Sequence, residues 1–135
     1  ASRAALGTSA ERTALAAELT EINDAFRAAA AAPRPDHGRI FDLDERFHRC
    51  YMKAAGRRVR SLHDTVKPQA ERYERLYVSM LTSELHTSVV EHRAIVKAIR
   101  AGNAPAAQAA VETNWRNAAE RLAAVVTATG ERGSW

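Results

Sequence analysis

Apolar residues recur at helical spacing along almost the whole chain, and nowhere do they alternate with polar residues over the length of a strand. Leu15, Leu19, Ile22 and Phe26 mark one face of a first long helix, opened by the capping box Thr8-Ser-Ala-Glu11 and ending before Pro33. The run Pro33 to Gly38 is rich in breakers and too polar to bury, which predicts a loop. A second helix is predicted over roughly 41–55, with Gly56 as its stop. The third stretch carries Val59, Leu62, Val66, Ala70, Tyr73, Leu76 or Tyr77, and Met80 as its apolar stripe, interrupted by Pro68. A proline inside a helix removes one hydrogen bond and clashes with the preceding turn at a cost of about 3 kcal/mol, so a kink or break is predicted at Lys67.

Residues Leu81 to Thr87 read as a connection, and Ser88-Val-Val-Glu91 as a second capping box that would put His92 in the first turn of the next helix. That helix buries Val89, His92, Ile95, Val96 and Ile99 and stops at Ala101-Gly102. Asn103 then caps a last helix, with Pro105 tolerated in its first turn and Ala107, Val111, Asn114, Ala118, Leu122 and Val125 facing inward. The pattern as a whole predicts an all-α, antiparallel bundle of about six helices forming one domain over residues 1–129, with a flexible tail over 130–135.

Composition narrows the class. A chain of 135 residues, 46% of them hydrophobic, is long enough to bury one core without staples. Cys50 is the single cysteine, so no internal disulfide forms, and its helical, apolar neighbours give no sign of a nucleophile. No apolar run approaches the roughly 20 residues that span a bilayer. The opening Ala-Ser-Arg-Ala-Ala lacks a hydrophobic signal core, and a cytoplasmic protein is the expectation. The net charge of +4 favours polyanions only if it is gathered on one surface. Arg57, Arg58 and Arg60 form the densest cluster, the remaining basic residues are interleaved with acidic ones, and no DNA- or RNA-reading motif is legible.

Candidate chemistry lies in three places. Asp44 and His48 project from one face of the second helix, so a carboxylate oxygen and an imidazole nitrogen can close on one cation, with His92 as a third ligand from another helix. On spacing alone the plainer interpretation comes first: Asp44 and His48 form a hydrogen-bonded pair and His92 is a satisfied core histidine. Asn114 is a polar residue at a predicted core position, which is costly unless it hydrogen-bonds or ligates. Arg72 and Arg75 flank the apolar stripe of the third helix and are candidate anchors for an anionic effector, set against the alternative that both are solvent-facing partners of Glu71 or Glu74.

The blocks Asp44-x-x-Phe47-His48, Ala54-Ala55-Gly56, Glu91-His92-x-x-Ile95-x-x-Ala98-Ile99-x-x-Gly102 and Ala106 to Trp115 together resemble the effector-binding domain, termed FCD, of GntR-type transcription regulators of the FadR subfamily. The resemblance runs from about residue 40 to about residue 125 and implies a helical sensor. In many members a divalent metal, zinc or nickel here, sits at the floor of a pocket for a small carboxylate effector. It implies Asp44, His48 and His92 as metal ligands and a fourth ligand, histidine, just before a bulky apolar residue. Here that position is Asn114, followed by Trp115, and a neutral amide oxygen is a weak ligand beside imidazole. Two consequences stay open: a weakened metal site, or a metal-free pocket in which Asn114 hydrogen-bonds the effector. The resemblance further implies a homodimer, a first helix beginning before residue 1, and DNA binding through an upstream winged-helix domain outside this chain.

Three function classes follow. The first is a ligand-sensing regulatory domain, not an enzyme. The second is a metal-dependent hydrolase, against which no further carboxylate presents itself as general base. The third is a structural oligomerisation module whose polar residues satisfy one another.

Overall fold

The computed structural model describes residues 1–81 and 84–129 of the chain. Six helices succeed one another: α1 (Ser2–Ala5), α2 (Ser9–Ala30), α3 (His37–Met52), α4 (Arg57–Leu81), α5 (Leu85–Arg100) and α6 (Ala104–Thr129), with no strand among the described residues. The predicted all-α bundle is therefore the observed fold. The candidate tail, residues 130–135, and part of the expected connection, Thr82 and Ser83, lie outside the described residues.

Local chemistry explains most helix ends. At Thr8 the side-chain oxygen accepts from the Glu11 amide, while the Glu11 carboxylate accepts from the Thr8 amide at 2.7 Å, a complete capping box for α2. Asp36 accepts from the Arg39 amide at 3.0 Å and starts α3 four residues earlier than the loop-like composition predicts. The α5–α6 corner is the tightest. Gly102 adopts φ 70°, its amide bonds to the Ile99 carbonyl, and the Asn103 amide reaches back to the Ala98 carbonyl, each at 3.0 Å. Only glycine takes this left-handed conformation without strain. Asn103 then caps α6 by accepting from the Ala106 amide. The short corner fixes α5 and α6 in antiparallel register.

The main core joins α1, α2, α3, α5 and α6 through Ala5, Leu19, Ile22, Phe47, Tyr51, Ile95, Ile99 and Ala107, all at most 2% exposed. A smaller cluster of Phe26, Ile40 and Val89 closes the end of the bundle beside the polar site.

Three sequence expectations are corrected. α4 runs as one helix through Pro68, without the predicted break. Ser88 and Glu91 do not cap a helix: α5 begins at Leu85, so His92 lies two turns inside it and Ser88 and Glu91 are buried. The stripe on α4 does not face the core. Val59, Leu62, Val66, Tyr73, Leu76 and Met80 are all exposed, and among the described side chains of that helix the buried one is Lys67. Periodicity identifies a face, not the side from which it is covered.

Candidate metal centre and ligand cavity

Asp44 and His48 project from one face of α3, and His92 comes from α5 across the bundle. Their ligating atoms all lie within 4.8 Å of one another. Asp44 stands between the two imidazoles, with Oδ1 at 3.4 Å from His92 Nε2 and Oδ2 at 3.6 Å from His48 Nε2. His92 is fully buried and stacked on Phe47, with ring centroids 3.9 Å apart.

A residue that sequence reasoning missed decides the protonation of His92. Asn23, buried on α2, donates through Nδ2 to the Val89 carbonyl at 3.1 Å, which turns its Oδ1 toward His92 Nδ1 at 3.0 Å. Oδ1 can only accept, so Nδ1 must carry the proton and Nε2 presents a lone pair. That lone pair has no hydrogen-bond donor and faces a carboxylate oxygen. Two acceptors at this distance repel unless a positive charge lies between them. His48 has a comparable outer partner, its Nδ1 lying 2.7 Å from the Tyr51 hydroxyl. Such outer-sphere bonds fix tautomer and ring orientation in metal sites.

The donor set fits a divalent cation. Nitrogen and carboxylate ligands about 2.1 Å from one tetrahedral ion lie about 3.4 Å apart, close to the separations of Asp44 from each histidine. Burial depresses both imidazoles, His48 to about 3, aided by the charges of Lys67 and His63, and His92 to about 4 despite the opposing pull of Asp44. Both are therefore neutral near pH 7, the form that ligates. Burial pushes the Asp44 carboxyl up from its usual range, opposed by His92, Lys67 and Arg121. The Cys50 thiol is pushed up to about 11, first by burial, consistent with an inert sulfur.

Beside this cluster lies a cavity of about 100 Å³, onto which Asp44, His48 and Asn114 open. Asn114 is 3% exposed and donates through Nδ2 to Glu91 Oε2 at 2.8 Å, which leaves its own Oδ1 buried and without a partner. Glu91 also accepts from Asn117 at 2.7 Å and from Arg121 at 3.2 Å, and Arg121 reaches Ser88 Oγ at 3.2 Å. Burial raises the Glu91 carboxyl, but these three donors together outweigh it and hold the pKa below the usual range. The α5–α6 corner sets this register.

Lys67 and Arg121 are the cations on the cavity wall. Lys67 donates to Glu74 at 2.9 Å and lies 5.2 Å from the Trp115 ring centroid. Arg72 is exposed, and Arg75 stacks on Phe41 at 3.8 Å and pairs with Asp42 at 3.6 Å, so neither is brought to the wall. The signal that could have found Asn23 is the one that found Asn114: a polar residue in phase with the apolar stripe of its helix.

Fold and site together define a helical bundle with a buried carboxylate–imidazole cluster at the floor of a small, partly cationic cavity. The FCD domain family matches residues 2–117, and the chain belongs to that family, the C-terminal effector-binding domain of GntR-family regulators such as FadR. Comparisons with curated proteins and with solved structures return no match. No helix among the described residues is long and apolar enough to cross a membrane.

Proposed function

We propose that this chain is the ligand-sensing domain of a bacterial transcription regulator. Asp44, His48 and His92 hold one divalent cation, zinc or nickel, and a small carboxylate effector enters the adjoining cavity. The observation that carries this reading is the His92 Nε2 lone pair, fixed by Asn23 and set 3.4 Å from an Asp44 oxygen with no proton of its own to share. The cation, when bound, supplies a Lewis-acidic anchor for an anionic group.

The chain's own residues do the rest. Asn114 offers its unpartnered Oδ1 as a weak fourth donor, held in orientation by Glu91. Lys67 and Arg121 make the cavity electropositive, while Phe41, Trp115 and Leu122 give it apolar walls suited to a short hydrocarbon segment. Both Glu91 oxygens are occupied by Asn114, Asn117 and Arg121, which leaves no free general base there and supports sensing over hydrolysis. DNA would be read by an N-terminal winged-helix domain outside this chain, in a cytoplasmic homodimer.

A second reading has its own support. The raised Asp44 pKa allows a protonated carboxyl to donate to His92 Nε2, giving a metal-free pocket in which the unpartnered Asn114 oxygen hydrogen-bonds the effector. Elemental analysis of protein purified without chelator, with zinc and nickel titrations of the parent and His48→Ala, separates the two. One tightly held divalent ion per chain, lost in His48→Ala, supports the metal site. A parent that binds neither ion transfers the case to the proton.

A further inference from the structure

The cavity beside the cluster is lined by charges of both signs, and its cations are already engaged. Lys67, 6% exposed, donates to Glu74 at 2.9 Å, while Arg121 donates to Glu91 and to Ser88 Oγ, each at 3.2 Å. The acceptors are not all engaged. Asn114 Oδ1, in a residue 3% exposed on the cavity wall, has no donor, and Glu84 on the same wall makes no cap hydrogen bond to α5. An effector whose only polar groups are carboxylates brings further acceptors to a wall that already has spare ones.

Charge balance points the same way. Asp44, Glu74, Glu84 and Glu91 stand against Lys67 and Arg121, with both imidazoles neutral, so one divalent ion at the floor brings the set to neutrality. A simple anion upsets that balance. If it draws Lys67 from Glu74, it strands a partly buried carboxylate without its counter-charge. An effector that carries its own cation takes up the carboxylate it frees.

The two signs are also separated along the helices. Glu84 lies about two turns before His92 on α5, Leu122 about two turns beyond Asn114 on α6, and Phe41 about two turns before His48 on α3, so the cavity extends about 11 Å from the cluster. Glu74 belongs to the far end, because its neighbour Arg75 stacks on Phe41 at 3.8 Å.

We propose that the effector is a short ω-amino carboxylate, with its carboxylate at the floor formed by Asp44, His48 and His92 and its ammonium at Glu84 and Glu74. This rests on the carboxylate-sensor reading above and adds the second charge. About 2 Å of metal–oxygen bond at one end and about 3 Å of charge-assisted hydrogen bond at the other leave about 6 Å for the molecule, roughly three to five methylenes between the charges. The volume agrees: a cavity of about 100 Å³, at about 10–15 Å³ per water-sized site, holds about 7–10 non-hydrogen atoms. Phe41, Trp115 and Leu122 supply apolar contacts for the methylenes.

Glu84 is the position to vary, because it is exposed and caps nothing, so its replacement changes charge and leaves the helix start intact. Calorimetric titration of the 135-residue chain, with and without one equivalent of zinc, compares 5-aminopentanoate with pentanoate, which lacks the ammonium, and glutarate, which replaces it by a second carboxylate. 5-Aminopentanoate is expected to bind tightest, about tenfold above glutarate, since attraction at Glu84 becomes repulsion. Glu84→Gln is expected to weaken 5-aminopentanoate about two- to fivefold, the range of a partly exposed ion pair, and to leave pentanoate unchanged. Glu84→Lys is expected to put glutarate first. Tighter binding of glutarate or pentanoate by the parent overturns the ammonium and leaves the carboxylate sensor standing. A preference for 5-aminopentanoate that survives Glu84→Lys overturns the proposal as well. Binding of none of the three, at millimolar concentration, overturns both the ammonium and the carboxylate reading. A preference for 5-aminopentanoate that depends on Glu84 but is equal with and without zinc supports the ammonium end and refutes the cation at the floor.

Discussion

Replacing Asn23 by leucine tests the lone-pair argument at its source. The substitution is nearly isosteric, and it removes two hydrogen bonds from a residue that is 2% exposed. The Val89 carbonyl and the His92 Nδ1–H are left buried without partners, each at about 1–3 kcal/mol. Added leucine contacts offset part of this, so a net loss of about 2–4 kcal/mol is expected, a fall in melting temperature of about 8–15 °C at this chain length. The second effect is on the metal. Without Asn23 the His92 ring no longer favours the Nδ1–H tautomer, and loss of such an outer-sphere partner typically weakens metal affinity about 10–100-fold. Zinc competition titration against a chromophoric chelator, on protein shown to be folded by circular dichroism, measures it. Asn23→Asp separates the two roles: it keeps an acceptor for Nδ1–H but loses the donor to Val89, so stability should fall while zinc affinity holds. If folded Asn23→Leu binds zinc as tightly as the parent, Asn23 does not set the tautomer and the argument for a cation between His92 and Asp44 fails.

Further expectations follow from the same geometry. Asn114→His should supply a third imidazole as the fourth ligand and give a larger zinc-dependent rise in melting temperature than the parent; a hundredfold excess over the dissociation constant contributes about 2.7 kcal/mol to either protein. Chelator-treated protein should lose stability as pH falls from 7.5 to 5. The folded pKa values of His48 and His92, about 3 and about 4, lie below the unfolded value of 6.5, so their contribution is complete above that value and is lost as protons bind the unfolded chain first. The loss is on the order of 1–2 kcal/mol per imidazole by pH 5. Asp44, shifted upward, acts in the opposite sense, and the depressed Glu91 titrates below this window. A flat thermal-melt profile over that range would contradict the neutral, buried assignment of the two rings. Glu91→Gln should weaken the Arg121 contact and free Asn114, destabilising the protein by about 1–3 kcal/mol in denaturant melts.

Where local chemistry sets the structure, the chain is readable. Thr8 with Glu11, Asn103, and Gly102 at the α5–α6 corner each act within a few residues, and the structure uses each as expected. The inward face of α5 is likewise legible, because Val89, His92, Ile95, Val96 and Ile99 are all covered by neighbours on the same side. Ser88 and Glu91 show the limit. Their spacing fits a cap equally well as a buried pair, and the choice is made by Asn114, Asn117 and Arg121, residues 23 to 33 positions away on α6. A local pattern cannot register a partner that only the tight corner brings alongside. Asn23 escaped for a related reason: it neighbours the exposed Asp24 and resembles a surface residue, although it shares the stripe of Leu19 and Phe26.

The case of α4 goes deeper, because its pattern is correct and its direction is reversed. An apolar stripe is expected to face the core only when the opposite face has nothing better to do. On α4 the opposite face carries Lys67, buried against Glu74 and the Trp115 ring, and a lysine is held there at a desolvation cost that an ordinary packing face would not incur. That cost is compensated by an ion pair, by ring contacts and by a cavity whose electropositive wall it forms. The same helix therefore meets the cavity with its charged side and presents its apolar stripe outward. An anion that drew Lys67 from Glu74 would act on the one element that the cavity shares with that outer surface.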